Sequence, residues 1–409
     1  MKAGNAFGLR TELPIGLKEF SALRRRALLE GCKWDPQVGD ISTLATFPLV
    51  MNAGVWKRLA FQAERLSAEA VAAENEISQR PELLGNLGLP RALRRVLTSR
   101  EPLTPAPCRV MRFDFHPTVE GWRVSEVNSD VPGGFSEASH FTALMAEHFP
   151  GLRPAGNPAG AWSRAIATAI GIDGVCALLS APGFMEDHQV NAFLASQLRK
   201  QGCHAFLAKP EQILWRNGTA HLNTEWHRGP LNGVIRFYQA EWLSRLPPRC
   251  EWKYFFRGGK TPVLNPALSV ISESKRFPLT WQALAVKLPV WRELLPRTCD
   301  PRDVPWESDE RWLLKTALCN NGDTVCIREL MKPSDWFRTR LAVRIFPGQW
   351  LAQGRFESVP VPTPAGPRHV CVGVYTVNGA AAGAYARLSE KTVIDFSATD
   401  VALLIDDHA

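Results

Sequence analysis

From Val55 onward, Leu59, Ala63, Leu66, Ala70, Ala73 and Ile77 recur at three- and four-residue steps, while Lys57, Arg58, Glu64, Arg65, Glu69 and Glu74 mostly occupy the other positions. A 3.6-residue repeat places such residues on one stripe, so the spacing predicts an amphipathic helix ended by Pro81. Residues 1–100 as a whole read as mostly helical. Past Pro102, Pro105 and Pro107 the period changes, and residues 109–128 alternate as two strands with a turn between them. The run Gly174-Val175-Cys176-Ala177-Leu178-Leu179 predicts a buried strand. A helix then follows through Phe193, Leu194 and Leu198 to Lys200, with Asp187 as its candidate cap. Gly202 ends it, and Cys203–Leu207 starts a second strand. This strand–helix–strand order predicts a small parallel α/β unit over roughly residues 160–245. Later, Val370–Thr376 and Ala382–Leu388 read as strands, the second following the turn Val377-Asn378-Gly379-Ala380.

Residues 112–134 hold the densest chemistry. Strand alternation puts Arg112 and Asp114 on one face, and Glu126 and Asn128 on one face. Whether those faces coincide depends on the loop. A two-residue turn at Glu120-Gly121 pairs Asp114 with Val127 and separates the polar groups. A three-residue loop, Val119-Glu120-Gly121 with Gly121 left-handed, pairs Asp114 with Glu126, Arg112 with Asn128 and Thr118 with Trp122. The three-residue loop is the expected one, because it converges the functional groups. Directly opposed carboxylates repel, and a divalent cation relieves that repulsion. Two carboxylates and an amide oxygen are hard donors suited to magnesium, which keeps waters and also binds phosphates. Neither His nor Cys joins the set as zinc would require, and His116 reads as a neighbour. A surface hairpin with hydrated charges accounts for the same residues equally well.

The 409 residues are 45% hydrophobic and 22% charged, enough for two or three domains with a large core and unlike disordered, collagenous or coiled-coil chains. No uninterrupted apolar run reaches the roughly 18 residues of a membrane span, and the N-terminus lacks a signal-peptide core, so a non-membrane, cytoplasmic protein is expected. Nine cysteines without a C-x-x-C spacing suit a reducing compartment. Lysine and arginine total 48 against 40 acidic residues, a net charge of +8, which favours anionic partners without choosing among them. The basic runs Arg24-Arg25-Arg26 and Arg91, Arg94, Arg95, Arg100 sit among leucines and read as solvated helix faces, so a nucleic-acid partner is not favoured. Oligomeric state is not legible.

Asp114 followed by Glu126-Val127-Asn128 and Pro132-Gly133 resembles the metal-binding end of ATP-grasp ligases. In most of that superfamily this motif follows the nucleotide lysines, whereas here it precedes the candidate lysines. The inverted order resembles the glutathionylspermidine synthase family and its circularly permuted ATP-grasp relatives. Asp187–Leu198 and Leu207–Asn217 resemble that family's small α/β subdomain, and Arg236–Leu243 its aromatic stretch. Asn265-Pro266 with Lys275, and Trp312-Leu313-Leu314-Lys315, are similar to its two nucleotide-lysine segments. Leu351-Ala352-Gln353 is similar to its adenine hinge, and Ala386-Arg387 to its late catalytic arginine.

The resemblance implies an α+β fold, an ATP-grasp domain of permuted order with an inserted, Rossmann-like pre-ATP-grasp subdomain. It implies a helical region plus metal-site hairpin over 1–160, the small α/β subdomain over 161–250 and the nucleotide-binding part over 251–409. It further implies an ATP- and Mg2+-dependent ligase joining a small-molecule or peptide carboxylate to an amine through an acyl phosphate. Asp114, Glu126 and Asn128 would hold the metal. Lys275, Lys315, Gln353 and Gly322 would meet the nucleotide, and Arg112 and Arg387 would steady the transferring phosphoryl group. Each residue keeps a plainer alternative. Lys275 reads as a solvated charge, Arg387 as a partner for Glu390, and Asn320–Thr324 as an Asn-Gly turn in place of a phosphate-covering loop. The hinge carries Gly354 where an acid is usual, leaving the backbone around Trp350–Ala352, or Glu357, to contact adenine. Glu137 and Asp130 are candidates for an acidic wall facing the amine. A catalytically degenerate nucleotide-binding protein is the main rival reading, and a nucleic-acid binder, resting on charge alone, the weaker one.

Overall fold

The computed structural model describes residues 7–38, 41–98, 106–318 and 325–408. Asn52 opens the long helix α1 (Ala53–Ser78), its side-chain oxygen accepting the Gly54 backbone N–H at 2.7 Å and satisfying a donor that a first helical turn leaves unpaired. Leu59, Ala63, Leu66, Ala70, Ala73 and Ile77 are fully buried, as the spacing predicts. Two charges expected on the outer face lie inside. Glu74 is gripped by both Arg109 terminal nitrogens at 2.8 Å, and Glu69 accepts the backbone N–H groups of Val290 and Trp291. Helical period shows which side a residue takes, but not which orphan donors a distant segment will bring there.

The predicted hairpin forms as β1 (Val110–Thr118) and β2 (Gly121–Asn128). Next comes the small parallel unit: β3 (Val175–Ser180), α2 (Met185–Lys200), β4 (His204–Ala208), β5 (Gly233–Phe237) and β6 (Val263–Leu264), in sheet order β6-β5-β3-β4. Asp187 lies inside the first turn of α2 and does not cap it; Phe184 occupies that place. The strands β7 (Thr298–Cys299), β8 (Trp312–Thr316) and β9 (Trp350–Gly354) form a three-stranded antiparallel sheet with β9 central. Finally β10 (His369–Val377) and β11 (Ala380–Ser389) join through Asn378 and Gly379, both at positive φ as a primed hairpin turn demands. With β12 (Thr399–Val401) they extend the hairpin into a five-stranded antiparallel sheet, β12-β11-β10-β1-β2.

One face of that sheet is apolar. Phe113, Phe115, Val372, Val374, Ala384 and Ala386 are fully buried in the same core as the α1 stripe. This leaves the alternate residues for the opposite face. The basic runs behave as solvated helix faces: Arg25 and Arg26 are exposed beside buried Leu23 and Ala27, and Arg91 and Arg95 beside buried Leu93 and Val96. Arg100, Pro102 and Pro105 lie outside the described residues. No helix among the described residues is long and apolar enough to cross a membrane.

Candidate active site

The pairing that gathers the hairpin's polar groups is present, but a different device produces it. The turn is two residues long, Val119-Glu120, so Thr118 faces Gly121 and not Trp122, which faces Pro117. Gly121 takes φ +101°, where a side chain would be strained. The register then shifts at Ser125. Phe115 faces Val124, and after the bulge Asp114 faces Glu126 and Arg112 faces Asn128. One extra residue on β2 re-aims the strand end, the usual consequence of a β-bulge.

Across the sheet the same face continues. Asp114 faces Gly373 and Arg112 faces Tyr375 on β10, while Cys371 faces Arg387 on β11. Gly373 has a steric reason to lack a side chain. A Cβ there would sit 2.9 Å from Arg112 Cδ and 2.9 Å from the Tyr385 ring. Arg112 can therefore lie flat over the sheet, its guanidinium 5.6 Å from the Tyr385 ring centre.

Two ion pairs organise the face. Arg112 grips Asp114 with Nε to Oδ1 at 2.8 Å and Nη2 to Oδ2 at 2.9 Å, and Asn128 Nδ2 donates to the same Oδ2 at 3.2 Å. Lys275 Nζ meets Glu126 Oε2 at 3.3 Å and Glu273 Oε1 at 3.4 Å, with its side chain only 7% exposed, so it is no solvated charge. Lys315 Nζ donates to the carbonyl of Ser125, the bulge residue, at 3.2 Å. Burial works against the charge on Glu126, yet Lys275, Lys315 and Arg112 outweigh it and hold the carboxyl down at about 2. The repulsion of opposed carboxylates is thus relieved by one cation for each.

Asp114, Glu126, Asn128, Arg112, Lys315, Gln353 and Arg387 all line one cavity of about 510 Å³ between the five-stranded and three-stranded sheets. Lys275 lies beside it, in a small adjoining pocket that shares Glu126, Lys315 and Gln353. Gly322 and the segment 319–324 lie outside the described residues. The donor set fits magnesium: two carboxylates and an amide oxygen on adjacent strands, with Glu126 ionised and an opening wide enough for retained waters. Among the described residues no group of three or more His, Cys, Asp or Glu could hold a metal, so any metal here would rest on two carboxylates and an amide.

Other expectations need correction. Arg387 donates to the Asp395 carbonyl at 2.6 Å, while Glu390 pairs with Arg368. In the backbone around Trp350–Ala352 all three residues pair with β8, but only Ala352 also pairs with β7, so the second edge of the strand is covered from Ala352 onward and not along Trp350 and Leu351. Gln353 lines the cavity while its amide donates to Thr298 Oγ1 at 3.1 Å, and Glu357 also lines the cavity. Neither proposed acidic wall is open. Asp130 is closed in by fully buried Arg236, the Ala240 N–H and Ser269 Oγ, and Glu137 is held by buried Lys33 at 2.6 Å.

Three further residues line the cavity: His116, read from the sequence as a neighbour of the metal set, and Cys371 and Phe356, which sequence reasoning passed over. The signal for the first was present, since 112, 114 and 116 alternate onto one face. His116 Nε2 lies 3.0 Å from Ser125 Oγ, its ring 5.2 Å from that of Phe356. Burial, helped by the charge of Lys315, lowers this imidazole to about 4, so it is neutral near pH 7. Cys371 carried no such signal: the register of the Asn-Gly turn alone would set it opposite Ala386, and a shift between Tyr375 and Thr376 brings it opposite Arg387.

A charged sheet face opening on a cavity beside a second antiparallel sheet, with a small parallel unit inserted, makes an α+β protein, the class to which ATP-grasp folds belong. The sequence profile of the glutathionylspermidine synthase pre-ATP-grasp family matches residues 49–406. The chain belongs to that family, which is one of carboxylate–amine ligases. Among solved structures it is similar in fold to a glutathione synthetase-like effector from Globodera pallida in apo form, at 13% identity and a TM-score of 0.62, covering 95% of this chain and 96% of that chain. Weaker likenesses are to a putative gamma-glutamylcysteine synthetase from Methylobacillus flagellatus (10% identity, TM-score 0.38, 79% of this chain and 88% of that one) and to D-alanyl-alanine synthetase A from Vibrio cholerae (16%, 0.33, 54% and 69%). Comparison with curated protein sequences returned no match.

Proposed function

We propose that this protein is an ATP- and magnesium-dependent ligase that joins a carboxylate to an amine through an acyl phosphate. The observation that carries the reading is the single cavity onto which Asp114, Glu126, Asn128, Arg112, Lys315 and Arg387 all open, with Lys275 paired to Glu126 at its edge. A carboxylate oxygen of the first substrate attacks the γ-phosphorus of ATP, the bond to the β,γ-bridging oxygen breaks, and ADP leaves. The amine of the second substrate then attacks the acyl carbon, the bond from that carbon to the phosphate oxygen breaks, and inorganic phosphate leaves while the amine loses its proton to solvent. Such transfer is mostly positioning and neutralisation of spread negative charge.

Asp114, Glu126 and Asn128 are the residues that would hold magnesium, which when bound supplies part of that neutralisation. Arg112 and Arg387, on one face, suit two sides of a transferring phosphoryl group, and Lys275 and Lys315 act as point charges toward the phosphates. Gln353, with the segment around Gly322, is assigned to the nucleotide. The three regions 1–160, 161–250 and 251–409 are the proposed divisions. The eight described cysteines are all free thiols, which suits a reducing, cytoplasmic setting.

Phosphate release screened across pairs of small or peptide acids with amines, followed by mass measurement of the adduct, tests the reaction. An adduct lighter by one water than its two substrates supports ligation. Nucleotide binding without phosphate release for any pair overturns it in favour of a degenerate nucleotide-binding protein.

A further inference from the structure

Ser129 and Asp130, which follow the last proposed metal ligand, have their backbone held almost entirely by side chains from residues 265–273. Asn265 Nδ2 donates to the carbonyls of Ser129 and Asp130 at 2.7 and 3.1 Å. Glu273 Oε2 accepts the N–H groups of the same two residues at 2.7 and 3.0 Å. A neutral amide at 273 could accept those two N–H groups as well. A buried carboxylate is costly unless a cation faces it, and one does: Glu273 Oε1 meets Lys275 Nζ, which also reaches Glu126.

We propose that Glu273 is a positioning residue that couples Lys275 to the strand end carrying Glu126 and Asn128. One carboxylate fixes the backbone beyond the metal ligands with one oxygen and divides the ammonium group of Lys275 with the other. Lys275 is thereby held between Glu126 and Glu273, so Glu126 can turn toward a metal ion without leaving the lysine unpaired. The lysine then stays beside the phosphates that ion would carry. This inference rests on the ligase reading and deepens it.

The test is a double-mutant cycle with Glu273→Gln and Lys275→Met, read as the affinity for ADP plus magnesium by calorimetry, alongside melting temperature. The Gln variant can keep both backbone acceptor bonds through its amide oxygen, and it replaces the charged oxygen facing the lysine with an amide N–H2 group. We expect it to weaken ADP–magnesium binding about tenfold or more, in the range seen when groups behind metal ligands are changed, with the melting temperature near that of the parent. In the Lys275→Met background the same change should have little further effect, because its route to the nucleotide is gone. Equal losses in both backgrounds, or a lowered melting temperature with unchanged ADP affinity, would show a purely structural role and overturn the proposal. Parent protein that does not bind ADP with magnesium would sink the ligase reading itself, a separate and recognisable failure.

Discussion

Asp114 and Asp130 flank the same strand, β2, and each meets an arginine through both carboxylate oxygens, yet they belong to different kinds of place. Around Asp130 every acceptor position is filled from within: Arg236 is fully buried, and Ala240 and Ser269 complete the shell. The adjoining gap is about 10 Å³, room for one water at most. Around Asp114 the pair opens on the 510 Å³ cavity, and a second carboxylate and an amide stand beside it. The chemistry of the two pairs is nearly the same. Space for a third party distinguishes a structural ion pair from a candidate site.

Breaking that comparison begins with the sealed pair. Asp130→Asn leaves the Arg236 guanidinium buried without a counter-charge, and the expected loss is about 3–5 kcal/mol of stability in urea unfolding. A loss below about 1 kcal/mol would mean that water reaches Arg236 after all. The matching change at the open site, Asp114→Asn, should act on ligand binding. With ADP and magnesium at a hundredfold over their dissociation constant, the parent should gain about 2.7 kcal/mol, and this gain should vanish in the variant. A full gain in Asp114→Asn would remove the metal assignment.

Gly373→Ala sharpens the contrast from beneath. The added methyl meets Arg112 and Tyr385 at 2.9 Å, so overpacking should cost about 2 kcal/mol in thermal unfolding and displace the guanidinium. The smallest effect is a pH dependence beside Asp130. Burial, and then the charge of Asp130, push the Glu241 carboxyl up to about 7. Between its unfolded value near 4.5 and 7 the folded state keeps a proton that the unfolded chain has released. That stability is present below 4.5 and lost as pH rises through 7, an effect of about 1 kcal/mol for a carboxyl still in partial contact with solvent. Glu241→Gln should flatten this slope, and an unchanged slope would place the titration elsewhere.

Several features were legible without coordinates because they rest on local stereochemistry. The α1 stripe follows from helical period, and the β10–β11 turn from Asn378-Gly379, whose residues tolerate positive φ. That Arg112 and Asp114 share a face follows from strand alternation. The convergence of Asp114 with Glu126 was anticipated, but through the wrong loop length, since nothing local marks Ser125 as a bulge. Glu69, Glu74 and Asp130 were misplaced for one common reason. Each carboxylate is drawn inward by donors far along the chain, Trp291, Arg109 and Arg236, and no periodicity near the acid announces them.

By itself, then, and apart from the fold class and nucleotide lysines that only the family resemblance implied, the order of residues determined the main helix, the hairpins and the set of hard oxygen donors. These follow from backbone sterics, side-chain period and donor chemistry, all of which act within a few residues. Only the tertiary structure decided which charges face room and which are sealed, and that Lys275 stands between two carboxylates. Those outcomes depend on which distant donor reaches a given acceptor first, a matter of three-dimensional packing.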